Sequence, residues 1–212
     1  MEDRLISAIV DLNEEEVINI IKQALKNNKD PVVLLDQVRT GMKIVGARYE
    51  EGRYFIADLI MSGLIFNEIF KLVHFSTENT AEFAGLVVIF ATVEQDIHDV
   101  GKNVTISFLK SRGINVIDLG VDVPAAKIVK EIQKSNASIL CLSGLITSSY
   151  KSMKKTVDLL KKKQLHQKVK VIIGGNVDED VKEYVGADYW TSDFSQALDI
   201  FKAAVSKNTE QS

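Results

Sequence analysis

The run Leu86-Val87-Val88-Ile89-Phe90-Ala91 is continuous, apolar and partly β-branched. That is the pattern of a strand buried on both faces, as in a parallel sheet covered by helices on either side. The polar stretch behind it reads Glu94-Gln95-Asp96-Ile97-His98-Asp99-Val100-Gly101-Lys102-Asn103, and helical periodicity follows near 102–112. His98 therefore falls in a strand-to-helix loop at the carboxyl edge of a sheet, where open α/β folds bind their ligands. An imidazole there can coordinate a metal through one ring nitrogen while the other donates to Asp96. Such a supporting carboxylate fixes the tautomer, and its loss weakens a metal site about 10–100-fold. Gly101 leaves space where backbone must approach something bulky.

From Leu86 onward strands alternate with helices, the signature of a parallel sheet. Strands are expected near 86–92, 115–118, 138–143, 169–173 and 188–190, and helices near 102–112, 124–135, 149–163, 178–185 and 194–206. With five strands the expected order is 2-1-3-4-5, and the switch point lies between the strands that precede His98 and Ser143. The first 75 residues show helical periodicity alone. Asn13 and Glu16 form a capping-box pattern ahead of a helix from Glu14 to Leu25, and Asp30-Pro31 opens a third helix that runs to about Tyr49. Residues from Leu5 to Val10 and from Ile56 to Phe75 complete four helices. The polar stretch from Ser76 to Gly85 marks a boundary, giving expected domains at 1–80 and 84–208.

Two further loops accompany the histidine motif. Ser138-Ile139-Leu140-Cys141-Leu142 runs into Ser143-Gly144-Leu145-Ile146-Thr147-Ser148-Ser149, and Val169-Lys170-Val171-Ile172-Ile173 ends in Gly174-Gly175. This triple set resembles the cobalamin-binding module of methionine synthase and the corrinoid carrier proteins of anaerobic methyltransferase systems. Gly41-Met42-Lys43-Ile44-Val45-Gly46 and Tyr49-Glu50-Glu51-Gly52-Arg53-Tyr54-Phe55 are similar to the helical cap domain of that family, so the resemblance spans nearly the whole chain. It implies an N-terminal four-helix bundle followed by a five-stranded parallel α/β sheet of Rossmann/flavodoxin-like order 2-1-3-4-5.

The resemblance also assigns roles. His98 would be the lower axial ligand to cobalt, with Asp96 and Ser149 completing a hydrogen-bonded relay. Cobalt in the +1 state prefers four ligands and methylated cobalt a sixth, so the imidazole would leave and return, and histidine suits the accompanying proton cycle near neutral pH. Ser149 can equally be read as a plain helix N-cap. Ser143 would meet the buried nucleotide tail, Thr147 the corrin edge, and Leu145 would pack between them. Gly174 and Gly175 would let the aromatic tail lie against bare backbone, or simply form a tight turn. Asp99 and Gly101 belong to the same cofactor loop. Phe55, and less directly Met61, would cap the upper face of the ring; for Met61 a place in the bundle core is the competing reading. The sequence departs from the family at Gln95, where glycine is common, which sets a long amide beside the metal ligand.

The implied function is a methyl carrier. Cobalamin or a related corrinoid, methylcobalamin in its loaded form, would accept a methyl group from a substrate-specific methyltransferase. A second methyltransferase would pass it to tetrahydrofolate or a thiol, and a reductive activation protein would restore the cofactor. The selectivity for methylamine, methanol, an aromatic methyl ether or a betaine would reside in those partners. A cobalamin-binding subunit of a radical isomerase shares the His98 motif, but the apolar helical module argues against it. A cobalamin-based light sensor would carry a DNA-binding segment, and a phosphorylated receiver needs an aspartate where Ser143 stands.

Composition narrows the field further. The 212 residues carry a formal net charge of −3, which speaks against a dedicated nucleic-acid binder. No apolar run reaches the ~18–20 residues of a membrane span. The acidic start Met1-Glu2-Asp3-Arg4 lacks the layout of a secretory signal, and the single cysteine, Cys141, suits a reducing cytoplasm. His74, His166 and mid-strand Cys141 read as structural. Lys151, Lys154, Lys155, Lys161, Lys162 and Lys163 read as a solvated helix face, and Trp190 as a strand-end residue near the ligand edge.

Overall fold

The computed structural model describes residues 2–75, 85–192 and 199–204, which fall into two compact units divided after Phe75. The first contains four helices: α1 (Glu2–Val10), α2 (Glu14–Lys26), α3 (Pro31–Glu50) and α4 (Ile56–Leu72). Their boundaries follow from local chemistry. Asn13 Oδ1 accepts the Glu16 amide at 3.1 Å to start α2, and Asp30 Oδ1 accepts the Val32 amide at 2.9 Å ahead of Pro31. At α4 the reciprocal half of a capping box serves, with the Phe55 amide donating to Asp58 Oδ2 at 2.7 Å. Tyr54 ties this entry back to α1 by donating its hydroxyl to the Val10 carbonyl at 2.6 Å. The helix stops at Leu72, three residues short of the expected Phe75, because Val73 turns to extended backbone.

The core of this unit is formed by Leu5, Ile9, Ile21, Leu34, Ile65 and Ile69, all essentially without solvent contact. Helix α4 is apolar beyond that core. Ser62, Ile65, Phe66 and Ile69 are buried, whereas Phe55, Ile56, Ile60, Met61 and Leu64 are exposed. A helix apolar all round ordinarily has both faces covered.

The second unit alternates β1 (Val87–Thr92), α5 (Val100–Ser111), β2 (Asn115–Asp118), α6 (Ala125–Lys134), β3 (Ile139–Gly144), α7 (Ser148–Lys162), β4 (Lys170–Gly175), α8 (Glu179–Val185) and β5 (Tyr189–Thr191). All pairings are parallel, and the order is β2-β1-β3-β4-β5, as the sequence pattern requires. Strand β1 carries side chains to both faces. Ile89, Ala91 and Val93 join Leu140, Leu142, Val171 and Ile173 in one core, against Val129 of α6 and Met153 and Val157 of α7. Phe90, one residue out of step, stacks on Phe201 with ring centroids 6.3 Å apart. Phe201 lies in the helical segment 199–204; the rest of the expected helix 194–206 lies outside the described residues. Register pairs Thr92 with Ser143 and Ser143 with Gly174. The carboxyl ends of β1, β3 and β4 therefore lie side by side, with the loops that leave them grouped where the strand order reverses.

Candidate functional site

Asp96 is the centre of this edge. Its residue is 1% exposed, and burial by itself would raise its pKa. Hydrogen bonds outweigh that: Oδ2 accepts the Ser149 hydroxyl at 2.6 Å and the amides of Leu145 at 2.6 Å and Ile146 at 3.4 Å, while Oδ1 accepts the His98 amide at 3.0 Å. Oδ1 also lies 2.6 Å from His98 Nδ1. The carboxyl is held down at about 2, against an ordinary 3.8. A carboxylate that accepts several such donors stays ionised.

An ionised carboxylate only accepts, so the hydrogen bond runs from His98 Nδ1–H to Asp96 Oδ1. Nε2 points away from the carboxylate. The histidine side chain is 50% exposed while that of Asp96 is not exposed at all. One end of the ring is fixed in the protein and the other faces outward. Among the described residues no group of three or more His, Cys, Asp or Glu is placed to hold a metal ion. His98 is a single outward-facing imidazole donor whose other nitrogen is held by Asp96.

The neighbouring residues are placed as follows. Ser149 is fully buried one residue inside α7, whose N-cap is Thr147. Its hydroxyl is directed to Asp96, so the plain N-cap reading is set aside. Asp96 stands in the middle, between Ser149 and His98. Thr147 is exposed and makes no cap bond through its side chain. Leu145 and Ile146 present exposed side chains while their amides hold Asp96, and Ile97 is exposed beside them. Half-buried Ser143 accepts the Val93 amide at its carbonyl, 3.1 Å away. Asp99 occupies the cap position of α5 and accepts Asn103 Nδ2 at 2.9 Å.

The glycines differ from one another. A Cβ on Gly101 would meet no protein atom within 4 Å, and the residue has no positive φ. Among the described residues nothing demands glycine there, although glycine is a poor helix former. Gly175 is the reverse. At φ +114° its Cβ would fall 2.1 Å from the Gly144 carbonyl oxygen, so it is required by the approach of two strand ends. Gly174 is ordinary, with the nearest atom to a Cβ at 3.6 Å.

Phe55 is 74% exposed and Met61 40% exposed, both in the helical unit, which removes the bundle-core reading for Met61. Trp190 donates Nε1 to Glu179 Oε2 at 2.6 Å. On α7, Lys155 reaches Glu94 at 2.8 Å and Lys154 reaches Asp158 at 3.6 Å. His74 Nδ1 lies 3.0 Å from the carbonyl of Val73, His166 is exposed and Cys141 is buried.

Three supports of the loop were not anticipated from sequence. Thr92 Oγ1 donates to the His98 carbonyl at 3.2 Å. Lys102, its side chain 2% exposed, donates to both Asp118 carboxylate oxygens at 2.8 Å and to Asn103 Oδ1 at 2.9 Å. Asp122 Oδ1 accepts the Gln95 amide at 2.7 Å. The only hint of the last was a non-glycine residue ahead of Asp96.

Residues 86–199 match the B12 binding domain family, and residues 1–73 match a second B12 binding domain family. A corrinoid protein of Desulfitobacterium hafniense is 32% identical, over 97% of this chain and 97% of its own. The solved monomethylamine corrinoid protein of Methanosarcina barkeri is 28% identical with a TM-score of 0.83, over 94% of this chain and 95% of that one. A chain of the methanol:cobalamin methyltransferase complex from the same organism, also 28% identical, superimposes with a TM-score of 0.54 over 96% of this chain and 78% of that one.

Proposed function

The chain belongs to the corrinoid-protein family built on B12 binding domains and binds cobalamin or a related corrinoid, and from that premise we propose that it is a methyl carrier loaded and unloaded by separate methyltransferases. The observation that carries the reading is the half-exposed imidazole of His98, held by Nδ1 at 2.6 Å from a buried carboxylate. The likeness to a monomethylamine corrinoid protein and to a methanol:cobalamin methyltransferase complex supports it.

The bound corrinoid supplies the cobalt on which the methyl group travels. The chain supplies the rest. His98 would hold the cobalt through Nε2, with Asp96 accepting from Nδ1 and so fixing the tautomer that turns Nε2 outward. The Asp96 carboxylate that supports the imidazole is itself fixed by the Ser149 hydroxyl and the Leu145 amide. Gly101 leaves room for the bulk of the ring. Ser143, Leu145, Gly174 and Gly175 would lie toward the nucleotide tail and Thr147 toward the corrin edge, with Asp99 in the same cofactor loop. Phe55 and Met61, both exposed in the helical unit, would be the apolar side chains that shield the cofactor from water. A substrate-specific methyltransferase, an acceptor methyltransferase using tetrahydrofolate or a thiol, and a reductive activation protein complete the system.

The test is transfer of a labelled methyl group. The protein is loaded with hydroxocobalamin, reduced, and offered to methyltransferases specific for methylamines, methanol, aromatic methyl ethers and betaines. Label on the protein-bound cofactor with one of them is the expected result. No label with any, together with an adenosyl ligand on protein isolated from its source, would overturn the carrier reading in favour of a radical isomerase subunit.

A further inference from the structure

The turn that delivers Asp96 is built around a residue poorly suited to it. Val93-Glu94-Gln95-Asp96 closes through the Asp96 amide on the Val93 carbonyl at 3.1 Å, and Gln95 stands third with φ +70°. Type II turns place positive φ at that position and favour glycine there. For another L-residue the left-handed region is unfavourable.

Asp122, in the loop between β2 and α6, meets this turn from the side. Its Oδ1 accepts the Gln95 amide at 2.7 Å, and its own amide donates to the Asp96 carbonyl at 2.9 Å. The loop is anchored for the purpose: the Thr92 amide donates to the Gly120 carbonyl at 3.0 Å, the Val123 amide donates to the Thr92 carbonyl at 3.1 Å, and Val93 bridges Val123. Asp122 has φ +51°, a conformation that aspartate tolerates better than most residues. Two bonds from one residue therefore grip the Glu94–Gln95 and Asp96–Ile97 peptides, on either side of the Gln95–Asp96 peptide.

We propose that Asp122 is a positioning residue for the cobalt ligand: by clamping Gln95 in the left-handed conformation, its carboxylate sets the aim of Asp96 and so the hold of His98 on the metal. This rests on the carrier reading above. Asp122 acts through two peptides and one carboxylate.

The readout is the fraction of cobalt(II) that shows nitrogen hyperfine splitting in electron paramagnetic resonance of the full chain loaded with hydroxocobalamin and reduced. Removing a direct supporting partner weakens a metal site about 10–100-fold; for a partner one step further out, Asp122→Ala is expected to raise the ratio of histidine-off to histidine-on cobalt roughly 3–10-fold. Asp122→Asn keeps a carbonyl acceptor and should stay within about twofold of the unaltered protein, on the same reasoning. Gln95→Gly placed in the Asp122→Ala background should recover the histidine-on fraction, because glycine holds the turn without help. An Asp122→Ala protein that melts earlier but keeps the original ratio would overturn the inference, as would failure of the glycine to rescue. Absence of nitrogen splitting in the unaltered protein would instead overturn the axial-ligand reading, and the inference with it.

Discussion

Ser149 and Asp96, 53 residues apart in sequence, share a 2.6 Å hydrogen bond at the end of the sheet, with neither residue more than 1% exposed. The bond joins the first turn of α7 to the loop after β1. A buried bond to a charged group contributes about 1.5–3 kcal/mol. Ser149→Ala is therefore expected to lower the stability of the cofactor-free protein by roughly that amount, measured by urea denaturation of the full chain. The carboxyl of Asp96 should rise with it, because the hydroxyl is the foremost bond holding it down.

The same carboxylate sets an acid limit. Its folded pKa of about 2 lies below its ordinary value of 3.8, so ionisation favours the folded state. The contribution, about 2 kcal/mol, is complete above about pH 5 and is lost as pH falls from about 4 toward 2. Stability measured across that window should fall for the unaltered protein and fall less for Asp96→Asn, which starts lower. Equal slopes would contradict the bonding described here.

Gly101 separates the needs of the fold from those of the ligand. Gly101→Ala meets no protein atom and sits in a helix, where alanine is preferred by up to about 1 kcal/mol. The cofactor-free variant should melt at the same temperature or higher. Its affinity for hydroxocobalamin, followed by absorption titration, should fall, and Gly101→Leu should fall further.

Gly175 makes the opposite case. Gly175→Ala brings a Cβ to 2.1 Å from the Gly144 carbonyl at φ +114°; overpacking and backbone strain together are expected to destabilise the chain by about 2–4 kcal/mol. Gly174→Ala, with its nearest contact at 3.6 Å, should remain within about 1 kcal/mol of the parent. Thermal unfolding of the cofactor-free proteins distinguishes the two.

The contrast between these glycines shows what was legible in sequence. The runs at Leu86–Ala91 and Ser138–Leu142 announce buried strands because apolar continuity is a local property. The Asn13 and Asp30-Pro31 signals place helix starts for the same reason. His98 beside Asp96 was visible as a two-residue spacing. What escaped depends on which loops the sheet brings together. Lys102 finds Asp118 sixteen residues away, and Asp122 finds Gln95 across twenty-seven; neither pair has a sequence spacing that signals contact. Gly175 reads in sequence as room for a ligand tail or as a tight turn, whereas its neighbour is the Gly144 carbonyl, a contact set by strand register. Ser149 admits two readings in sequence; in the structure Thr147 is the N-cap of α7, and the Ser149 hydroxyl reaches Asp96.

The most direct measurement is electron paramagnetic resonance of the cobalt(II) form, comparing the unaltered chain with His98→Ala after loading both with hydroxocobalamin. One set of nitrogen splittings in the unaltered protein, abolished by His98→Ala, is the result expected of an imidazole on the lower face. Splittings that survive the substitution, or that come from the nucleotide base of the cofactor itself, would contradict it.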